Sequence, residues 1–458
     1  MTLRLLYTLA LFAACSLFAQ DYQIDRYIPE SSSSEVSMCV MPSSSSVQQM
    51  TPAVSSLSIA SSSAAVSSSS TVEVGDSAIM NVAQSSSAIM QSSSANAQSS
   101  ATVANSGKNP YKLPNALMPL WESMTLRQKA AQKIMVFLTS TEFVIENEIG
   151  GLLITGKHLR EAEDYMRKVD EINSKLRIPV FTATDQEGGI VNRLASYSKK
   201  WEHLPSARDM RNMDTAKIHL LASKVGHALK EIKINMNLAP VLDPSKDYSD
   251  KNSFMEESRR SWGRDTTNAY KVRTFVKGMR ENGIVCVSKH FPGYDSWTNS
   301  DHQIAVSASP SEKIQENIKF FKTLSKDIPV TMMSSVQFLR ISSRPAVFDK
   351  NIVKMAQRGT PDMVVLTDDL WGTSLRAWAS GKTQIPPRKN YPDKDFRRLI
   401  TAVIDAGNDI MMISYTSKAK DMLDIMMDLS NKNSKYKQRI EESAARILKL
   451  KYRMGMLK

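Results

Sequence analysis

Residues 268–290 read Asn268-Ala-Tyr-Lys-Val-Arg-Thr-Phe-Val-Lys-Gly-Met-Arg-Glu-Asn282 and then Gly283-Ile-Val-Cys-Val-Ser-Lys-His290. In the first part apolar residues recur three and four positions apart, the spacing of one helix face. The second part is a short, continuous apolar run, the pattern of a strand buried on both sides in a parallel sheet. It ends in two polar groups, Lys289 and His290. Similar units extend in both directions. Strand-length apolar runs occupy Gly151–Thr155, Pro179–Asp185, Asn235–Asp243, Ile328–Ser335, Met363–Asp369 and Asp409–Ser414. Amphipathic stretches such as Lys157–Leu176 and Asp214–Ile232 separate them, and a helix with Thr125 as N-cap is expected over Thr125–Met135. Seven such strands within residues 109–458 predict an α/β fold, a (β/α)8 TIM-type barrel forming one catalytic domain. No Gly-rich dinucleotide fingerprint or phosphate loop is present to favour a doubly wound sheet.

The first 108 residues have a different composition. Of the 77 residues from 31 to 107, 29 are Ser, none is aromatic and three are charged. Such a segment cannot bury enough apolar surface to offset its chain entropy, so residues 20–108 are expected to be a disordered linker. Ahead of it, Arg4 precedes the apolar run Leu5–Ala14, the pattern of a secretory signal over residues 1–19. Phe12-Ala-Ala-Cys15 resembles a lipoprotein box, which would tether the protein to a membrane through a lipidated Cys15; cleavage after Ala19 would instead release it. Export to the periplasm, outer membrane or cell surface is expected either way. The chain carries a net charge of +13. Its first 108 residues carry −3, which leaves +16 on residues 109–458. A basic domain can meet anionic polymers, but no Lys/Arg run has the density of a nucleic-acid arm, and no nucleic-acid partner is expected. The three cysteines, Cys15, Cys39 and Cys286, form neither a disulfide framework nor a metal-ligand spacing. No metal or other cofactor is expected, and a monomer is.

Several strands end in chemistry-bearing residues: Asp185-Gln-Glu187, Asp243, Lys289-His290, Ser334-Ser335 and Thr367-Asp368-Asp369. In a β/α barrel such ends meet at one mouth. Carboxylates accept hydrogen bonds from sugar hydroxyls while Lys and Arg donate to them. Retaining hydrolysis of a glycosidic bond needs a carboxylate nucleophile and a proton donor to the leaving oxygen. The candidate substrate is therefore a carbohydrate.

Five motifs then resemble, in order, the N-terminal domain of glycoside hydrolase family 3. They are Asp185-Gln-Glu-Gly-Gly-Ile-Val-Asn-Arg193, Asn235-Met-Asn-Leu-Ala-Pro-Val-Leu-Asp243, Arg260-Ser-Trp-Gly263, Lys289-His-Phe-Pro-Gly293 and Leu366-Thr-Asp-Asp369. A closing helix like the family's spans Arg439–Arg453. The resemblance implies that Asp368 is the catalytic nucleophile and that Asp185 holds sugar hydroxyls, with Arg193, Arg260, Lys289 and His290 as further substrate-binding positions. The chain stops at Lys458, which is similar to the single-domain bacterial β-N-acetylglucosaminidases acting on peptidoglycan fragments. That branch takes its general acid/base from a His on a loop, oriented by an Asp two residues earlier. His302 falls in register with that His, but Ser300 stands two residues before it and Asp301 is adjacent. Tyr294-Asp295 replaces the branch's His-Gly, and Ser335 stands where a His is usual. The expectation is a retaining exo-β-N-acetylglucosaminidase with Asp368, His302 and Asp301 as its catalytic groups. A catalytically impaired barrel that binds envelope glycans is the alternative from another class; a β-glucosidase or β-xylosidase is the alternative within the same class. Trp262 and Trp297 are candidates for stacking on a sugar ring.

Overall fold

The computed structural model describes residues 109–382 and 390–458. The expected leader (1–19), its Cys15 and the Ser-rich linker (20–108) lie outside the described residues.

Eight strands run in parallel: β1 Ile134–Phe137, β2 Gly151–Leu153, β3 Phe181–Thr184, β4 Met236–Asn237, β5 Val285–Phe291, β6 Val330–Met333, β7 Val364–Leu366 and β8 Met411–Ile413. Each pairs with its chain neighbour, and β1 also pairs with β8. A parallel bridge between Leu366 and Ile410 joins β7 to β8 and closes the ring. Helices on the outside include Ala162–Lys175, Thr215–Glu231, Thr266–Glu281, Ser311–Leu324, Asp393–Ala406 and Lys418–Lys432. All seven expected strands are present, several shorter than their apolar runs. The eighth, β1, lies partly inside the helix expected over Thr125–Met135. That helix is confined to Leu126–Ala131, where Thr125 and Gln128 form a reciprocal N-terminal cap. Ile134-Met-Val-Phe137 continues as a strand because all four side chains are buried, two into the barrel and two against the helices. Periodicity cannot separate so short an apolar run from a buried helical turn.

The barrel interior is filled, not hollow. Met135, Phe181, Met236, Val287, Met332 and Leu366 pack in one inner cluster, while a larger cluster joins the outer strand faces to the helices. Ile447 and Leu450 of the last helix, Ser434–Arg453, reach the inner cluster. Beside them the Lys451 ammonium donates to Gln132 Oε1 (2.8 Å), the Gly150 carbonyl (3.0 Å) and the Pro179 carbonyl (2.7 Å). These three acceptors lie just ahead of β1, β2 and β3, at the N-terminal end of the ring. The last helix thus covers that end, and the opposite mouth is left for chemistry.

Candidate active site at the C-terminal mouth of the barrel

The chain after β3 folds into a small hairpin, Gln186–Gly188 against Val191–Asn192. Gly188 has φ +87°, and any Cβ there would run into the Pro205 carbonyl, so the Gly-Gly step is a geometric requirement. Asn237 at the end of β4 holds the hairpin's start, accepting from Gln186 N (3.0 Å) and donating to Gln186 O (2.9 Å). Asp185 and Glu187 are two residues apart in extended chain and point the same way. Both accept from the Lys289 ammonium, Asp185 Oδ1 at 2.7 Å and Glu187 Oε1 at 2.6 Å. Arg260 grips Glu187 with both arms, Nε to Oε2 at 2.7 Å and Nη2 to Oε1 at 2.9 Å. Arg260 therefore pairs with Glu187 rather than with Asp185 or Asp243.

This four-residue network has an inner and an outer part. The Glu187 and Lys289 side chains are 3% and 2% exposed, whereas Asp185 is 27% exposed. Burial by itself would raise the Glu187 carboxyl, but the Arg260 and Lys289 charges outweigh it and hold it down to about 2. Burial would likewise lower the Lys289 amine; the Asp185 and Glu187 carboxylates reverse this and raise it. Glu187 is thus a permanent buried anion that fixes two cations, and Asp185 presents its free side to the mouth. Reading the motif alone left Glu187 without a role; its two-residue offset from Asp185 was the available signal.

His290 is buried at the end of β5, with its Nδ1 2.6 Å from Asp243 Oδ2 and its backbone N–H donating to Asp243 Oδ1 at 2.8 Å. Arg193 is half-buried at the start of the short helix Leu194–Tyr197, directly after the hairpin.

Asp368 lies just past β7. Ser335, at the β6 tip, donates to Asp368 Oδ2 (3.2 Å), and the Asp369 N–H donates to Asp368 Oδ1 (2.9 Å). Asp369 turns away, accepting from the backbone N–H groups of Trp371 (3.0 Å) and Ser414 (2.9 Å). Burial raises the Asp369 carboxyl despite these bonds.

The segment after β5 brings the expected acid/base residues to the same mouth but separates them. The Tyr294 hydroxyl accepts from Ser300 N–H (2.7 Å), and Ser300 and Asp301 carbonyls accept from Ser374 and Thr373 N–H (3.0 and 3.3 Å). Asp301 lies against Gly372, its Oδ1 3.7 Å from where a Cβ on that glycine would stand. Burial first, then the Asp368 and Asp369 charges, push the Asp301 carboxyl up to about 7. His302 is exposed on the adjoining turn. Asp295 accepts from Ser309 Oγ and is buried, so it orients toward the loop's own interior. Of the two stacking candidates, Trp297 is 72% exposed in this segment. Trp262 is a core residue instead, buried against Phe275 with ring centroids 5.8 Å apart.

Among the described residues no cluster of three or more His, Cys, Asp or Glu side chains could hold a metal ion. Cys286 is buried in β5, and burial pushes its thiol up to about 12, leaving it inert.

The profile of the "Glycosyl hydrolase family 3 N terminal domain" matches residues 125–450. The chain belongs to that family. Among curated relatives, "Beta-hexosaminidase LpqI" of Mycobacterium tuberculosis is 27% identical over 368 residues, covering 76% of this chain and 87% of that protein. Two solved structures agree on the fold. A family 3 β-N-acetylglucosaminidase from Paenibacillus superposes with a TM-score of 0.61 at 23% identity, over 73% of this chain and 63% of that longer one. A β-N-acetylhexosaminidase from Beutenbergia cavernae gives 0.60 at 24% identity, over 72% of this chain and 99% of that one. Within the family 3 barrel, the first of the five motifs carries the hairpin and the last carries the β7 tip, so residues 125–450 include both.

Proposed function

We propose that this chain is a retaining glycoside hydrolase that removes terminal β-linked N-acetylglucosamine, or a closely related sugar, from glycans such as peptidoglycan fragments. The observation that carries the reading is the β7 tip: one carboxylate, Asp368, oriented by Ser335 Oγ and the Asp369 N–H, on the same mouth as the half-open Asp185–Lys289 pair. The hexosaminidase names of the relatives support the choice of sugar.

In this reading Asp185, Arg193, Arg260, Lys289 and His290 hold the hydroxyls of the terminal sugar. Asp368 attacks the anomeric carbon, the bond to the leaving oxygen breaks, and a glycosyl ester forms on Asp368. Water then attacks the same carbon and releases the sugar with its original configuration. Purified protein incubated with an aryl β-N-acetylglucosaminide is expected to release the phenol, and Asp368→Ala to abolish release. Aryl β-glucoside and β-xyloside run in parallel distinguish the two other sugar specificities. No release from any of the three by the wild type between about pH 5 and 8 overturns the reading.

The exposed His302 and the Ser at 300 favour a second reading, a family 3 barrel that binds envelope glycans without turnover. Calorimetric sugar binding combined with a silent hydrolysis assay would establish it. For residues outside the described structure, the same proposal places export on residues 1–19, a tether on Cys15 and a spacer on 20–108. Among the described residues no helix is long and apolar enough to cross a membrane. Cys15→Ser should move the protein from the membrane fraction to the soluble one if the tether exists.

A further inference from the structure

We infer that Asp301, not His302, carries the acid/base proton of this site, giving up its hydrogen to the leaving oxygen and later taking one from water. The inference rests on the hydrolase reading above and names the second catalytic residue it needs.

Three geometric facts converge on Asp301. Its backbone is held at both ends: Asn299 Oδ1 accepts from its N–H at 3.0 Å, and its carbonyl accepts from Thr373 N–H. Ser300, just before it, is fixed by the Tyr294 hydroxyl on one side and by Ser374 N–H on the other. Thr373 and Ser374 open the helix Thr373–Ser380, which begins five residues after Asp368. The loop is therefore docked onto the turn that follows the nucleophile. Next, the Asp301 carboxyl lies at the turn that follows Asp368, its Oδ1 3.7 Å from where a Cβ on Gly372 would stand, an ordinary contact distance. Finally, among the described residues no Lys or Arg forms an ion pair with this carboxylate, and no hydrogen bond to it is present. An acid kept near nucleophilic carboxylates without a cation of its own holds its proton.

The charged and titratable groups that face it come from four elements. Asp368 and Asp369 at the β7 tip oppose its ionisation; Arg260 after β4 and His290 on β5 favour it more weakly. Tyr294, on its own loop, feels both Asp301 and Asp368. The balance leaves Asp301 protonated up to about pH 7, which suits a group that must be an acid first and a base second. Asp301 and His302 share a turn in which the His302 N–H donates to the Asn299 carbonyl at 3.2 Å; the Asp301 carboxyl lies toward Gly372, and His302 is exposed.

The proton balance is complete without another group. As the anomeric C–O bond breaks and Asp368 bonds to that carbon, the Asp301 hydrogen moves to the departing oxygen. In the second half, water gives a proton to the Asp301 carboxylate while its oxygen replaces Asp368 on the carbon. Free Asp368 carboxylate and protonated Asp301 are regenerated.

The test compares two aryl β-N-acetylglucosaminides, one with a dinitrophenyl group that leaves without help and one with an unsubstituted phenyl group that does not. Full-length Asp301→Asn should lose about 10²–10⁴-fold in kcat/KM on the phenyl substrate. On the dinitrophenyl substrate the first step should be nearly spared, and the slow second step should be rescued by azide, yielding the β-glycosyl azide. Wild-type kcat/KM should decline above about pH 7, and this decline should disappear in the variant. Asp301→Ala, which removes the group altogether, should show the same leaving-group dependence and azide rescue; a purely structural role for the loop would slow both substrates alike and give no azide product. His302→Gln should keep the wild-type leaving-group dependence and alkaline limb. The inference is overturned if His302→Gln shows the leaving-group dependence and azide product while Asp301→Asn does not. A wild type that turns over neither substrate overturns the hydrolase reading itself, a separate result because it is read before any variant.

Discussion

Glu187 shows how one residue organises the mouth. It is a buried carboxylate contacted by two cations, Arg260 and Lys289; Lys289 also pairs with the partly exposed Asp185. Glu187→Gln keeps the volume but leaves Arg260 and Lys289 short of a counter-charge. Removing one partner of a buried ionic network costs about 3–5 kcal/mol. The prediction is a loss of that order in urea unfolding, together with a fall in kcat/KM larger than any change in kcat. The same residue sets an acid limit. Its folded carboxyl sits at about 2 against an ordinary 4.5, so the stability it contributes is complete above about pH 4.5 and disappears as pH falls toward 2. Unfolding free energy followed between those limits should drop more steeply in the wild type than in Glu187→Gln. Ser335 acts at the same scale. Where the family resemblance leads one to expect a His, it supplies one 3.2 Å hydrogen bond to Asp368, the proposed nucleophile, so Ser335→Ala should reduce turnover far less than Asp368→Ala does in the same phenol-release assay. The pattern legible at residue scale was the list of polar strand ends. The pairing was not: Arg260 reaches Glu187 across 73 positions of chain, a distance that local patterning does not carry.

The seam between β7 and β8 is decided by elements rather than by single contacts. Asp409, just ahead of β8, is fully buried; it accepts from Val365 N–H on β7 (2.9 Å) and from Arg446 on the closing helix at 2.9–3.1 Å. One carboxylate thereby ties the last strand to its neighbour and both to the helix that covers the N-terminal end. Asp409→Ala should leave the half-buried Arg446 without its fully buried partner and cost about 3 kcal/mol in urea unfolding. A smaller effect belongs to the first helix. Thr125→Ala removes a reciprocal cap at an exposed helix start and should cost about 1 kcal/mol. Element starts were readable because caps are local: Thr125 and Asp214 are N-caps as their sequence neighbours require. The strand β1 was not readable as such, because Ile134-Met-Val-Phe137 follows a good helix without a break and only burial on two sides makes it a strand.

At the scale of the whole molecule, residues 109–458 carry +16, and a peptidoglycan fragment with acidic peptide stems, the kind of substrate proposed above, would meet that field before it met the mouth. Long-range attraction of this kind is screened over about 8–10 Å at physiological salt. Raising ionic strength from about 0.01 to 0.15 M should therefore lower kcat/KM on an anionic peptidoglycan fragment while leaving an uncharged aryl glycoside nearly unaffected; equal responses would remove the field from the account. By itself the order of residues determined the alternation of helix and strand, the parallel sheet and the set of polar strand ends, because periodicity and burial of short apolar runs are local properties of the chain. Five motifs in order were enough to bring the family into view, and the profile match over residues 125–450 bears this out. Only the closed ring decided which polar ends share a proton or a charge. Glu187 became the hub of two cations, Trp262 went into the core, and Asp301 came to lie beside Gly372 while its chain neighbour His302 is exposed. These outcomes depend on electrostatics and packing between segments tens to hundreds of residues apart, and those energies exist only once the ring has closed.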